Sequence, residues 1–453
     1  MGSYCQAKKI LNFLANPKSF LFYKEKNMKI SEIKPGKVEF QGWIENLRDK
    51  KNMQFIVIRD LSGKVQVTVI KAEKPEIAEI FSKATLESTV KIKGEAVANE
   101  FVKLGGIEII PEEVELTSHA EALPIAEDSS IDQRLDYRWV DLRSPSKTLI
   151  FQVETTLNQA MRQYAIDHGC IEIHTPTLIG TSSEGGADVF EVKYFDKKAY
   201  LIQSPQFYKQ MAMCAGFEKV LINTPIFRAE KSHTKQHATE FSGFDIEMSY
   251  VNGVEDVMQF EENLLAYAIN EVAKKHGEKV KELLNVDIVV PTVPFPRITM
   301  KEAYQILRSL NIDIKDGDDF SKEQEVALCD YMEKKNGHQF FFVKEYPTKV
   351  RAFYTMAKED EPEYSKSYDL YFKDVEITSG AQREHRPDVL KKQIEERGID
   401  TTPMTDYINF FKNGCPPHGG FGLGLDRLLM LLLDLPSLKE AMYIFRGPDR
   451  LNP

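Results

Sequence analysis

Cysteine is scarce and scattered in this sequence. There are five in 453 residues (Cys5, Cys170, Cys214, Cys329 and Cys415), and no two form a C-x-x-C pair. An odd, dispersed set excludes a disulfide framework and a zinc site, and it suits a reducing, cytoplasmic setting. Long apolar runs are missing as well. None reaches the roughly 20 residues that a membrane helix requires, so no membrane partner is expected. Basic charge is in deficit, with a formal net charge of −10. That excludes a wholesale basic nucleic-acid binder but leaves room for a local basic groove. Internal repeats and low-complexity tracts are absent too. What is present is a globular composition, 42% hydrophobic and 28% charged. The length exceeds one ordinary core, so two or three domains are expected.

Residues 1–27 carry lysines but no acid before Glu25. A presequence, a membrane-surface helix and an extension preceding a start at Met28 all fit, the last of them best. Gly2 makes no myristoylation signal, because the sixth residue is Gln6.

Residues 28–118 read as five short strands with one helix. "KVQVTVI", "STVKIKGEAV" and "GGIEIIPEEVEL" alternate, and "KPEIAEIFSKATL" has helical spacing at Ile77, Ile80 and Phe81. A helix after the third of five strands is the order of an OB-fold barrel, an architecture that binds single-stranded nucleic acid by stacking bases on exposed aromatics. Phe55 and Gln66 are candidates for a stacking ring and an amide that reads a base edge. The alternative for Phe55 is a place in the barrel core.

Residues 119–146 are polar and irregular, and they read as a linker. From 147 onward the texture is α+β. "TLIFQVETTLNQAMRQYAIDHGC" is an amphipathic helix with Ile150, Val153, Leu157, Met161 and Ala165 on one stripe, ended by Gly169. Hairpin-like strand pairs then outnumber β-α-β alternation. That predicts an antiparallel sheet flanked by helices. Residues of about 280–345 carry few site-like groups and read as a peripheral insertion.

This second domain places ionisable residues where a core does not want them. "PIFRAEKSHTKQHATEFSGFDIEM" sets Arg228 and Glu230 on one face of a strand, followed by a loop with His233 and His237, then Phe241, Asp245 and Glu247. "SYDLYFKDVEITSGAQREH" supplies Asp369, Glu376, Ser379 and Arg383. Neighbouring acids suit Mg2+, and arginines grip phosphate and carboxylate. Each residue alone reads equally as a surface ion pair of little worth. Near the C-terminus, "HGGFGLGLDR" is G-x-G-x-G rather than the G-x-G-x-x-G of a dinucleotide turn. It is either a glycine-kinked strand or a bare backbone for a purine or phosphate, with Arg427 in the first turn of a helix.

Taken together, these segments resemble a class II aminoacyl-tRNA synthetase of the aspartyl type found in archaea and eukaryotes, over residues of about 35–453. "IEIHTPTL", ending its motif at Pro176, resembles motif 1. "FRAE" with "HATEF" resembles motif 2, and "GGFGLGLDR" resembles motif 3. "SSEGGADVF" is similar to the loop over the amino acid, and "QSPQFYKQM" and "EITSGAQREH" are similar to stretches typical of aspartyl enzymes. "GWIENLRDKKNMQFIVIRDLSGKVQV" resembles the anticodon-binding barrel.

The resemblance implies roles. Arg228, Glu230 and Arg427 would be the catalytic group. ATP would be held by Arg228 (α-phosphate), Arg427 (γ-phosphate), His237 (terminal phosphates), Phe241 (adenine stack), Glu230 (adenine amino group), Glu376 and Gly424. Asp369, Glu376 and Ser379 would hold Mg2+. L-Aspartate would be held by Arg383 and Lys209 at its side chain and by Glu184, Gln203 and Asp245 at its amino group, with Ser379 close by. Phe55 and Gln66 would contact the anticodon of tRNA(Asp), and possible further charging of tRNA(Asn) is left open. A homodimer through motif 1 is implied.

Three departures stand out: Gln236 where motif 2 usually carries arginine, Asp426 before the motif 3 arginine, and the ending "IFRGPDRLNP". Glu45 and Lys103, at the places that tend to separate strict from relaxed tRNA choice, match neither pattern. Asparaginyl-tRNA synthetase and a catalytically weak, tRNA-binding paralogue are the alternative readings.

Overall fold

The computed structural model describes residues 28–126, 128–180 and 188–453. The expectations placed on residues 1–27, and those for Glu184 and most of its loop, lie outside the described residues. The chain divides into two compact units at Asp128/Ser129.

The first unit is a closed five-stranded barrel. Its strands are β1 (Gly36–Asp49), β2 (Met53–Arg59), β3 (Lys64–Ile70), β4 (Thr89–Ala98) and β5 (Ile107–Ser118), with α1 (Pro75–Lys83) after the third. Alternation is literal in β2. Gln54, Ile56 and Ile58 are buried, while Phe55 and Val57 lie on the other face. Period-two chains can seal a barrel only this way, with one set of side chains filling the interior.

The second unit opens with α2 (Ile131–Asp136), α3 (Arg138–Asp141) and the long α4 (Pro145–Asp167). The linker expectation is therefore corrected from residue 130 on. Ser130 and Gln133 form a capping box, a local signal within an otherwise polar run. Arg138 is buried, donating to the carbonyls of Glu440, Met442 and Tyr443 and pairing with Asp141. The stripe expected on α4 is all buried. Gly169 follows the helix at φ +87°, a conformation costly for any residue with a Cβ.

Then come β6 (Ile171–Glu172), and the small sheet of β7 (Leu178–Ile179), β8 (Glu191–Tyr194) and β9 (Lys197–Leu201). Helix α5 (Gln206–Cys214) leads to the hairpin β10 (Lys219–Phe227) and β11 (Glu240–Ser249), and then to α6 (Val254–Leu284). Next are β12 (Arg297–Thr299), α7 (Met300–Ser309), α8 (Lys322–Asn336) and β13 (Phe340–Lys344), and the hairpin β14 (Ser367–Phe372) and β15 (Val375–Gln382). Helices α9 (Pro387–Glu396) and α10 (Thr405–Lys412), strand β16 (His418–Gly424), and helices α11 (Leu425–Leu432) and α12 (Leu438–Ala441) complete the unit.

The main sheet has eight strands in the order β12-β13-β14-β15-β16-β11-β10-β6. Its six central strands are antiparallel, as expected, but both edge pairs, β12/β13 and β10/β6, are parallel. Residues 297–344, within the stretch expected to be peripheral, lie at one end of this sheet. They build its edge, with α7 and α8 packed on a cluster of their own around Tyr304, Leu328 and Phe341. The larger core fills the space where α4, α6 and α11 meet the sheet.

Candidate active site

Strand β16 is wedged between β15 and β11, and its glycines are of two kinds. Gly420 pairs with Glu247, and Gly422 with Asp245, across the β11 ladder. A Cβ on Gly420 would run into the Ile246 carbonyl and the Glu247 carboxylate, and one on Gly422 would come within 2.9 Å of Asp245 Oδ1. These glycines leave room for two acids. At Gly424 the nearest atoms to such a Cβ are those of Arg427 at 3.7 Å. Crowding within the chain does not explain that glycine.

Below the strand lies a cavity of about 280 Å3. Twelve of the residues singled out in this unit line it: Gln203, Lys209, Arg228, Glu230, His237, Phe241, Asp245, Glu376, Ser379, Arg383, Gly424 and Arg427. Asp369 does not line it; it stands behind the wall, joined through Arg351. Arg228 and Glu230 are not on a strand, since β10 ends at Phe227. They sit in the segment beyond it.

One end of the cavity is a buried charge cluster. Lys209 Nζ is 3.3 Å from Glu247 Oε2 and 3.5 Å from Asp245 Oδ1, and it donates to the Phe421 carbonyl. Arg383 donates through Nε to Glu247 Oε1 at 3.1 Å and through Nη2 to the Gly420 carbonyl at 2.9 Å. Burial would lift the Glu247 carboxyl, but Arg383 and Lys209 outweigh it and hold it below its usual range. Asp245 behaves oppositely. Burial raises its carboxyl, and Lys209 offsets this only in part. Asp245 is thus the acid in this cluster that an added ammonium would relieve.

The other end is more open. Arg228 pairs with Glu230 at 3.6 Å and lies over the Phe241 ring, 5.5 Å from its centroid. His237 is 3.9 Å from Glu230, and its imidazole is held below its usual value by burial and by Arg427. Arg427 projects from the first turn of α11 and donates to the carbonyls of Gln236 and Glu376. Desolvation and the charge of Asp369 push the Glu376 carboxyl up to about 8, against the pull of Arg351 and Arg427.

The departures also find places. Gln236 meets Arg427 through its backbone, so that contact does not depend on the missing arginine. Asp426 accepts from the Ser242 amide at 2.7 Å, pinning α11 to β11. The carbonyl of Arg446, in the unusual ending, accepts from Thr239.

Three residues of the site escaped the sequence. Glu247 was visible on the return strand but had no assigned role. Arg351 and Tyr354 come from "YPTKVRAFYT", where two cations, Lys349 and Arg351, among aromatics were the available signal.

Asp369, Glu376 and Ser379 are hard oxygen donors, and Asp369 Oδ1 is buried with no hydrogen-bond partner. Two carboxylates and a hydroxyl fit Mg2+, which keeps positions for phosphate oxygens. Among the described residues, no group of three or more His, Cys, Asp or Glu is arranged to hold a metal without such help.

In the barrel, Phe55 and Gln66 lie on the same outer face of β2 and β3, Phe55 opposite Thr68 and Gln66 opposite Val57. Neither belongs to the core, so the core alternative for Phe55 is set aside. Glu45 is held by Lys64 at 2.6 Å and by Arg59 at 3.7 Å.

The family comparison agrees with this geometry. Residues 130–445 match the family of class II tRNA synthetases (D, K and N), and residues 38–117 match the OB-fold nucleic acid binding domain. The chain belongs to the class II tRNA synthetases. Within that class it is similar to aspartate–tRNA ligases. It is 41% identical to the aspartate–tRNA(Asp) ligase of Pyrococcus abyssi over 93% of this chain and 97% of that one. It is 40% identical to the aspartate–tRNA(Asp/Asn) ligase of Methanopyrus kandleri over 92% and 96%. Among solved structures, asparaginyl-tRNA synthetase of Pyrococcus horikoshii complexed with asparaginyl-adenylate superposes with a TM-score of 0.86 at 34% identity, covering 95% of this chain and all of that one. Aspartyl-tRNA synthetase of Entamoeba histolytica gives 0.86 at 32%, covering 97% and 95%. Among the described residues no helix is long and apolar enough to cross a membrane.

Proposed function

We propose that this chain activates L-aspartate with ATP and transfers it to the 3′ end of tRNA(Asp). The observation that carries the choice of amino acid is the Lys209–Glu247–Arg383 cluster with Asp245 beside it. Taken as ionised, the four groups sum to zero. Once Asp245 pairs with a substrate ammonium, Lys209 and Arg383 exceed Glu247 by one positive charge. A side-chain carboxylate neutralises that excess; a neutral amide leaves it unpaired in a desolvated pocket, which is costly.

The α-carboxylate of aspartate attacks the α-phosphorus of ATP, and pyrophosphate leaves. Arg228 bears on the α-phosphate, Arg427 on the γ-phosphate and His237 on the terminal phosphates. Phe241 stacks on the adenine, and Glu230 and Gly424 border it. The terminal ribose hydroxyl of tRNA then attacks the adenylate. Neither step needs a covalent protein nucleophile, so the work is positioning and charge stabilisation. Gln203 completes the amino-group pocket. Bound at Asp369, Glu376 and Ser379, Mg2+ would supply charge neutralisation of the phosphates.

Phe55 stacks on an anticodon base and Gln66 reads one. The exposed Ile171 and Leu178 of the motif 1 segment support a homodimer through that face, and a cytoplasmic location follows from the same reading. The likeness to asparaginyl-tRNA synthetase favours asparagine as the second reading. The relatives themselves divide between tRNA(Asp) and tRNA(Asp/Asn). ATP–pyrophosphate exchange with Mg2+, run with aspartate, asparagine, lysine and no amino acid, tests the reading. Exchange with aspartate alone supports it, exchange with asparagine alone replaces the substrate, and no exchange removes the activity.

A further inference from the structure

Arg351 is a fourth arginine at this site, and nothing in the reaction as described uses it. It follows a short 3-10 turn at Thr348–Val350 and lines the cavity. Its guanidinium carbon lies 3.7 Å from the centroid of the Tyr346 ring, and Tyr346 is itself fully buried. A guanidinium flat on an aromatic face is fixed in orientation. From there Nη2 reaches within 2.7 Å of Asp369 Oδ2, and Nη1 donates to Ser379 Oγ at 3.2 Å. Asp369 and Ser379 are two of the three residues suited to a divalent cation, and the third, Glu376, lies on the same hairpin two pairs further along, just past a register shift.

This bonding is incomplete in a telling way. Arg351 Nε has no hydrogen-bond partner, and Nη2 faces Asp369 at ion-pair distance without hydrogen-bonding geometry. Asp369 Oδ1 is also buried and unpaired. An arginine placed only to build the wall would satisfy its buried donors, since orphaned ones are costly. An arginine that stands in for another cation need not. One oxygen of Asp369 is occupied by Arg351 and the other is left open.

We propose that Arg351 is the resident counter-ion of the divalent-cation site. It neutralises Asp369 and holds Ser379 while the enzyme is free, and it opposes metal until nucleotide phosphates bring enough negative charge to draw the metal in. Arg351 is therefore a positioning residue that couples metal entry to nucleotide entry. The proposal rests on the assignment of Asp369, Glu376 and Ser379 to the metal.

Manganese(II) binding to nucleotide-free enzyme, measured by electron paramagnetic resonance of the unbound ion, tests this without any turnover. Removing a unit charge a few ångströms from a divalent ion is a large electrostatic change. Arg351→Gln should tighten manganese binding at least about tenfold, and the gain should vanish in the double variant with Asp369→Asn. Arg351→Lys keeps the charge but not the fork, and it should fall between wild type and Arg351→Gln. Should Arg351→Gln fail to fold, judged by circular dichroism, the lysine variant decides alone. Manganese binding unchanged or weakened in the folded variants overturns the proposal, as does a gain that survives Asp369→Asn. Loss of aspartate-dependent exchange in wild type would overturn the proposed activity instead, leaving the manganese result to stand by itself.

Discussion

Arg383 and Glu247 form a buried pair, Nε to Oε1 at 3.1 Å, with the glutamate wholly out of contact with solvent. The pair serves two ends. It fixes a guanidinium that lines the cavity, and it keeps a carboxylate charged deep within the sheet. Arg383→Gln should therefore weaken aspartate binding and discrimination against asparagine far more than it weakens ATP binding. Truncating a buried, hydrogen-bonded charge pair costs about 2–5 kcal/mol. Exchange kinetics with each amino acid and with varied ATP would measure it. Lost ATP affinity with aspartate preference intact would place Arg383 in the wrong part of the cavity.

The two kinds of glycine in β16 should separate on substitution. Gly420→Ala drives a methyl into the Ile246 backbone and the Glu247 carboxylate. It should lower the melting temperature and abolish aspartate activation together. Gly424→Ala meets only ordinary contacts. It should melt like wild type but show a raised KM for ATP. Thermal melts and exchange kinetics on the same preparations check both, and a destabilised Gly424→Ala would mean that crowding holds there too.

Phe55→Ala in the barrel should leave ATP–pyrophosphate exchange unchanged and weaken aminoacylation through tRNA. The loss expected for one stacked base is about 1–3 kcal/mol. Equal loss in exchange and aminoacylation would show that the ring supports folding rather than RNA.

Glu261, on α6 beneath the sheet, accepts from the Tyr368 hydroxyl at 2.6 Å, while its Oε1 has no partner. Burial pushes its carboxyl up to about 8, with Asp369 and Glu262 adding to the rise and Tyr368 and Thr378 opposing it. A carboxyl raised on folding is favoured in its protonated form. Its stabilising contribution is full at low pH and is lost as pH climbs from the unfolded carboxyl range toward 8. Glu261→Gln keeps the shape without the titration. It should flatten this part of the stability profile and raise the melting temperature at pH 8. Melts from pH 5 to 8.5 compare the two proteins, and parallel profiles would show that Glu261 does not carry the dependence.

Much of this was legible in the sequence, for identifiable reasons. The barrel strands alternate, and the α4 stripe repeats at helical spacing, so both faces could be named in advance. Phe55 could not be placed by alternation alone, because the register of β2 decides which face is interior. "FFFVK" in β13 is buried through Phe340, Phe341, Phe342 and Val343, and a strand covered on both sides shows no alternation. That is why alternation, which names the faces of the barrel strands, could not name the faces of this one. Arg138 and Arg351 were missed for a related reason. Their partners lie far along the chain or behind a wall, and residue type alone does not distinguish a buried arginine from a solvated one.

Strand β16 follows every other strand of the main sheet in sequence among the described residues, yet it lies in the interior of that sheet and pairs on both sides. A ribosome releasing this protein exposes β11 and β15 long before it delivers the strand that joins them. Until then each presents an open ladder of amides and carbonyls, the kind of edge that recruits other chains. Arg427 arrives later still. Premature termination near residue 415 would therefore leave a molecule that lacks both the strand joining the two halves of the sheet and the Arg427 wall of the cavity, and that is prone to aggregate.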